Sequence, residues 1–324
     1  MIAAGGLALA IALTAVAGGG GAYHTGHGGP SAAAPTDLGE LWAIPPVEVT
    51  AIVLIGVLYL LGVARDVSGR RRALFLSGLA LILAAICSPL GGIAQQGLLS
   101  AHMLQHTMIG AVAPLLLLLG LPRQVVEARL PERWQRRLRP LVHPAIAFPA
   151  WAIGTVVWLL PDVHGAVLEH GALWILQQAS FLALGLLMWA PIVEPLSGPR
   201  WFGTAWKCGY MVGVWVLGLS IANVYWFSGT AFYSSHAAAA AAWGLEPLED
   251  QANAGTMMMV VHCLLAFGAI GVLFFRNARE GELRQRLLEA GIDPQRVELA
   301  TRGGTAEALA RAHGVQVRTR AGID

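Results

Sequence analysis

Residues 101–121 read AHMLQHTMIGAVAPLLLLLGL, and the 19 residues that follow, PRQVVEARLPERWQRRLRP, hold six arginines. At about 1.5 Å per residue the first block forms a helix that crosses about 30 Å of hydrocarbon. The second block cannot follow it into lipid. The same alternation runs along the rest of the chain. Apolar runs at 47–64, 73–90, 145–161, 171–193, 207–227 and 254–275 join 101–121 to make seven, and the segments between them carry either several basic residues or none. Arg65 and Arg70 to Arg72 follow the first run, Arg123 to Arg139 the third, Arg200 and Lys207 the fifth, and Arg276 onward the seventh; together these are all 21 Lys and Arg. Every cation therefore falls on one side, which the positive-inside rule makes cytoplasmic.

The expected fold is all-α, a polytopic bundle of seven core transmembrane helices over 47–276, with the bundle's N-terminus outside and its C-terminus in the cytoplasm. Segment 1–20 is apolar and ends in Ala15-Val16-Ala17 before a glycine run, which reads as a signal peptide or as an extra N-terminal helix. Residues 21–46, rich in Gly, Ala and Pro, read as an extracytoplasmic linker, and 277–324 as a charged helical tail with a stop at Gly291 and a restart at Asp293-Pro294.

Composition agrees. Hydrophobic residues make up 56% of the 324 and charged residues only 12%, outside the range of a soluble domain. A net charge of +2 leaves no basic excess for nucleic acid, and the bilayer is the partner the composition demands. Three well-separated cysteines exclude a disulfide framework and a CxxC motif. The outer segments hold eight acids with no cation to balance them: Asp37, Glu40, Glu48, Asp162, Glu169, Glu246, Glu249 and Asp250.

Eight of the ten histidines also fall in outer loops or outer parts of helices. His102 and His106 stand four apart on the third run, one turn above the other on one face, with Met103 beside them. An imidazole at membrane depth is costly without a partner, so the pair points to a ligand role. The seventh run offers a matching half in Met258, Met259, His262 and Cys263, where Met258/His262 and Met259/Cys263 are each four apart. His106 and His262 lie at the same depth, about 10 Å below the outer helix ends. Imidazole, thioether and thiolate together suit Cu(I) better than zinc or a hard cation. Methionines in spanning helices more often pack than ligate, and His24, His27, His164, His170 and His236 carry little weight one by one.

Pro114 predicts a bend below the histidines by freeing the Gly110 carbonyl. Gly209 and Gly213 predict a close helix contact. Trp42, Tyr225 and Trp226 outside, and Trp201 and Trp206 inside, predict interfacial belts.

Several strings taken together resemble the CtaG-type family of cytochrome c oxidase assembly factors. They are Ser100-Ala101-His102-Met103-Leu104-Gln105-His106 running to Pro114 and Gly120-Leu121-Pro122, Ser88-Pro89-Leu90, Gly185 to Ile192, and Trp243 to Gln251 followed by Ala254-Gly255 and Met258. The resemblance spans most of 47–290. It implies a non-catalytic protein of the bacterial plasma membrane that assembles a copper-containing oxidase. Its expected partners are oxidase subunits and a copper donor protein outside the membrane. It also implies that His102 and His106 are the site, that Asp250 and Gln251 cap or orient the start of the seventh helix, and that a second histidine pair early in the fifth helix is replaced here by Trp174 and Gln177-Gln178. A copper transporter or resistance protein and a bis-histidine haem protein are the alternatives. Transport calls for ionisable groups through to the inner half, and haem for one axial histidine from each of two separated helices.

Overall fold

The computed structural model describes residues 38–199, 201–302 and 306–315. The signal-peptide or extra-helix segment, most of the linker with His24 and His27, and the last residues of the tail lie outside the described residues.

Among the described residues all regular structure is helical. In chain order the α-helices are α1 (Pro46–Gly62), α2 (Gly69–Cys87), α3 (Pro89–Gln95), α4 (Leu99–Leu119), α5 (Arg123–Arg129), α6 (Glu132–Leu138) and α7 (Pro144–Leu159). They continue as α8 (Pro161–Glu169), α9 (Gly171–Val193), α10 (Thr204–Phe227), α11 (Ala237–Ala242), α12 (Pro247–Glu289), α13 (Pro294–Arg302) and α14 (Ala306–Ala312). Proline opens α1, α3, α7, α8, α12 and α13, where its missing N–H is an orphan donor in any case.

Four helices, α4, α9, α10 and α12, are each long and apolar enough to cross a membrane unbroken. Two more candidates are bent pairs: α2 meets α3 at 50°, and Glu132–Val142 meets α7 at 65°. The bends fall at Ser88-Pro89 and His143-Pro144, where proline cannot continue the preceding helix. The remaining expected run, the first in the chain, is α1, which is apolar but stops after 17 residues. The helices thus give four to six span candidates where the hydropathy pattern predicts seven.

The core is built round α4. Of its most apolar window 61% is buried inside the protein, against 17% for α12. It packs against α2, α9 and α12. Pro114 does not simply kink it. The helix instead widens into a π segment at Met108–Val112, with the Ala113 N–H reaching back to the Met108 carbonyl. Gly185 of α9 lies against the Gly110 carbonyl, where a Cβ would come within 2.0 Å of the oxygen, and Trp189 Nε1 donates to the Ala111 carbonyl at 2.8 Å. The widened segment ahead of Pro114 is therefore a packing surface.

The close helix contact predicted at Gly209 and Gly213 is elsewhere. Nothing lies within 4 Å of a Cβ at Gly209, and only the Phe148 ring at 3.4 Å near Gly213. The tight α10–α12 approach is at Gly218, against the His262 ring, and at Gly255, against the Ala222 carbonyl. Trp42, Trp226, Trp201 and Trp206 are exposed as belts require, but Tyr225 is buried and its hydroxyl meets that of Tyr233.

The arginine-bearing connections gather at one end. Arg129 donates to the Gly62 carbonyl and pairs with Asp66, Arg71 reaches the Leu119 carbonyl at 3.4 Å, and Arg123 bonds Ser197 at 2.6 Å. Lys207, the only lysine, pairs with Glu194 at 2.9 Å, joining the end of α9 to the start of α10. His102, His106, His164 and His236 gather at the other end. Beyond Arg276, α12 continues without a break to Glu289; the chain turns at Gly291, at φ +74°, and α13 and α14 fold back to bury Leu287, Val297 and Ala310.

Candidate functional site

The start of α4 is fixed from a distance. The Asp250 carboxylate, 1% exposed, accepts the Leu99 N–H at 2.8 Å and the Ser100 N–H at 3.0 Å. A helix has four orphan N–H groups at its start, and a carboxylate there is favoured by both hydrogen bonding and the dipole. Asp250 thus caps a helix, but it is α4 and not α12. Gln251 ties down the segment after α10: its amide donates to the Tyr225 and Thr230 carbonyls, and its oxygen accepts the Phe232 N–H at 2.8 Å.

On α4 so seated, His102 and His106 are buried with ring centres 4.2 Å apart. Two more imidazoles join them from connecting segments. His164 comes from α8, with its ring 4.6 Å from that of His102 and 6.5 Å from that of His106. His236 comes from the short 3-10 turn before α11, 5.1 Å from His164 and 6.0 Å from His102. All four are nearly inaccessible to solvent. Trp174 stands edge-on to His102, Phe181 stacks on His106 and Tyr233 covers His164.

The glutamines at the start of α9 serve this cluster. His102 Nε2 is 3.3 Å from Gln177 Oε1, so the ring donates there. Gln178 donates to Gln105 at 2.7 Å, and Gln105 to the Ala85 carbonyl at 2.8 Å, a chain that ties α9, α4 and α2 together. His236 Nδ1 donates to the Gly97 carbonyl.

What remains is a deficit. His102 Nδ1, both nitrogens of His106, both of His164 and Nε2 of His236 are buried and have no hydrogen-bond partner. An unsatisfied buried polar group costs about 1–3 kcal/mol. These six nitrogens therefore call for a partner that the neighbouring side chains and backbone do not supply. Burial holds the His164 imidazole well below its ordinary range, and the neighbouring His236 and His106 push the same way; the nearby Trp158 carbonyl opposes them without reaching hydrogen-bond geometry. Burial also lowers His236, against the pull of the Gly97 carbonyl and Asp250. Both outer rings are therefore neutral near pH 7 and carry free lone pairs. Among the described residues, no group of three or more His, Cys, Asp or Glu side chains is placed so that it could hold a metal ion as it stands.

The seventh-helix candidates are set differently. Met103, Met258, His106 and His262 line a common cavity of about 40 Å³ with Thr155 and Thr107, next to the four-ring cluster. His262 donates through Nδ1 to the Met258 carbonyl at 2.7 Å, which leaves Nε2 as its lone-pair end. Met259 packs partly buried beside the Leu99, Met103 and Met258 group. Cys263 accepts a hydrogen bond from Trp215 Nε1 at 3.2 Å and does not line the cavity. The sequence spacing therefore brings His102 and His106 together, with Met103, Met258 and His262 round His106. It does not reveal His164 and His236.

The family model for the cytochrome c oxidase caa3 assembly factor matches residues 57–280, more than half of the chain and all four clustered histidines. The chain belongs to this family. No curated protein and no solved structure matches it. In this assembly factor the matched region begins within α1 and ends within α12, so it covers every apolar helix that packs on α4. The family accounts for a membrane helix bundle and for an association with cytochrome c oxidase. Its description names no metal.

Proposed function

We propose that the protein assists assembly of cytochrome c oxidase by handling copper at the extracytoplasmic end of its bundle, through His102 and His106 with the thioethers of Met103 and Met258 and the ring of His262. The observation that carries this reading is the set of buried, unpartnered imidazole nitrogens at the start of α4. A metal ion satisfies imidazole lone pairs and needs no further acceptor. Met103 and Met258, both buried beside His106, make the adjoining cavity a soft one, which suits Cu(I). Met259 and Cys263 extend the same α12 face, with Cys263 already engaged by Trp215.

The orientation follows the arginines: their end of the bundle faces the cytoplasm and the histidine end faces outward. In this reading α1, the α2–α3 pair, α4, the bent pair ending in α7, α9, α10 and α12 are seven spans, with α1 reaching across by local thinning of the bilayer. The copper is cargo for the oxidase, received from a donor outside the membrane. A haem role is disfavoured by space, because the cavity beside His106 holds only a few waters' volume. The decisive experiment is copper analysis of the purified wild type and His106→Ala, with oxidase activity measured in the same membranes. Wild-type protein without stoichiometric copper, even after loading with Cu+, overturns the proposal.

A further inference from the structure

The rings of His102 and His236 share a feature that spacing along α4 does not explain. Each is held at one nitrogen by a carbonyl oxygen, Gln177 Oε1 for His102 and the Gly97 carbonyl for His236. A carbonyl only accepts, so those nitrogens carry the protons and the opposite ones, His102 Nδ1 and His236 Nε2, are lone pairs. Both lone-pair nitrogens are buried and unpartnered. A carbonyl or carboxylate behind one nitrogen, with the other left free, is how proteins orient histidines that ligate metals. His106 and His164 complete the group with both nitrogens of each ring unpartnered.

Five of the six ring separations bracket the spacing of a ligand set. A nitrogen–metal distance of about 2 Å puts each ring centre about 3 Å from the ion, and so about 5 Å from the next in a tetrahedral set. The separations here are 4.2, 4.6, 5.1, 6.0 and 6.5 Å. His102 stands at 67–88° to the other three planes, and closing on an ion requires the rings to turn about their side-chain bonds, since they do not converge as they stand.

We propose that His164 and His236 join His102 and His106 in a four-imidazole site for a nitrogen-preferring divalent ion, Cu(II) under the copper-handling reading on which this rests. The thioether-lined cavity next door is a separate environment suited to Cu(I), and His106 borders both. Imidazole alone favours Cu(II), Zn(II) and Ni(II), whereas thioether shifts the preference to Cu(I). The polypeptide thus offers two donor sets one ring apart. The outer set is assembled from three separate segments, so it forms only when α8 and the segment before α11 fold down on α4.

The test uses the full chain in detergent, with Cu2+ and Cu+ as separate probes. Electron paramagnetic resonance of the Cu2+-loaded wild type is expected to show coupling to three or four imidazole nitrogens. His164→Gln and His236→Gln are each expected to lower Cu2+ affinity about tenfold or more and to change that coupling, while Cu+ affinity, read by competition with a chromogenic chelator, changes by less than about threefold. Wild-type coupling to two nitrogens or fewer overturns the proposal without any variant being needed, as does unchanged Cu2+ binding in both variants. In either case Cu+ binding that depends on His106 leaves the copper-handling reading standing. Failure of the wild type to bind either ion removes both.

Discussion

Two histidine-bearing regions face each other at the histidine end of this bundle, and they differ in what their nitrogens and sulfurs have left to do. On α4, with its neighbours α8 and the turn before α11, four rings are buried and six nitrogens lack partners. On α12, His262 is only partly buried and uses one nitrogen on its own helix, and Cys263 is taken by Trp215. Both regions show ligand-type residues four apart. Spacing alone therefore does not distinguish a site from a packed helix face. The distinction comes from the central position of α4, where a buried polar group must find its partner within the bundle.

The comparison breaks most sharply on copper itself. His106→Ala is expected to lose at least about nine-tenths of the copper retained by the purified wild type, in line with the 10–100-fold losses that follow damage to a metal site. Cys263→Ser is expected to retain wild-type copper. Equal losses from the two substitutions, measured by elemental analysis, would falsify the ranking of the two regions. Asp250→Asn comes next. It replaces one of two accepting carboxylate oxygens by an NH2 that faces a backbone N–H, removes the charge, and is expected to cost about 2–3 kcal/mol. The readout is a lower thermal midpoint, and an unchanged midpoint contradicts the assigned role of Asp250 in seating α4.

A pH effect of smaller size follows from the outer rings. His164 and His236 bind protons more weakly when folded than in the unfolded chain, near pH 6.5. Their contribution is complete above that value and is lost as the pH falls below it. His164, held well below its ordinary range, loses at most about 1.4 kcal/mol per unit, and His236 acts in the same direction. The metal-free protein is thus expected to melt at progressively lower temperature from pH 7 to pH 5, and His164→Gln to flatten the slope. A midpoint that is level across this range contradicts the buried, neutral state of these rings. The smallest contrast is between glycines. A methyl at Gly218 meets the His262 ring at 2.7 Å, whereas one at Gly209 meets nothing. Gly218→Ala is expected to cost about 1–3 kcal/mol and Gly209→Ala to be neutral or slightly stabilising, as thermal melts can check.

These differences also show what was legible in the sequence. Apolar runs, the one-sided arginines and the His102/His106 pair depend on local chemistry and are read directly from residues 101–139. His164 and His236 were not legible as site residues, because they enter from connecting segments whose path depends on tertiary packing. The accumulation of histidines toward one end of the helices was their only signal. The seven runs became four to six span candidates because hydropathy does not register the turns that Pro89 and Pro144 impose. The Gly209/Gly213 expectation failed for a related reason: small residues permit close approach, but the neighbouring helix decides where it happens. Asp250 and Gln251 were marked as capping or orienting residues, yet the helix and loop they hold could not be named from local sequence.

The Asp250 clamp has a consequence for how the polypeptide is made. The carboxylate that seats the first turn of α4 lies 150 residues downstream of Ser100. During synthesis α4 therefore enters the bilayer with its histidine ladder not yet set at the correct height or rotation. Only when α12 has been inserted does the last long helix reach back and lock the first residues of the central one. A chain cut short before residue 250 carries the ladder but not its latch.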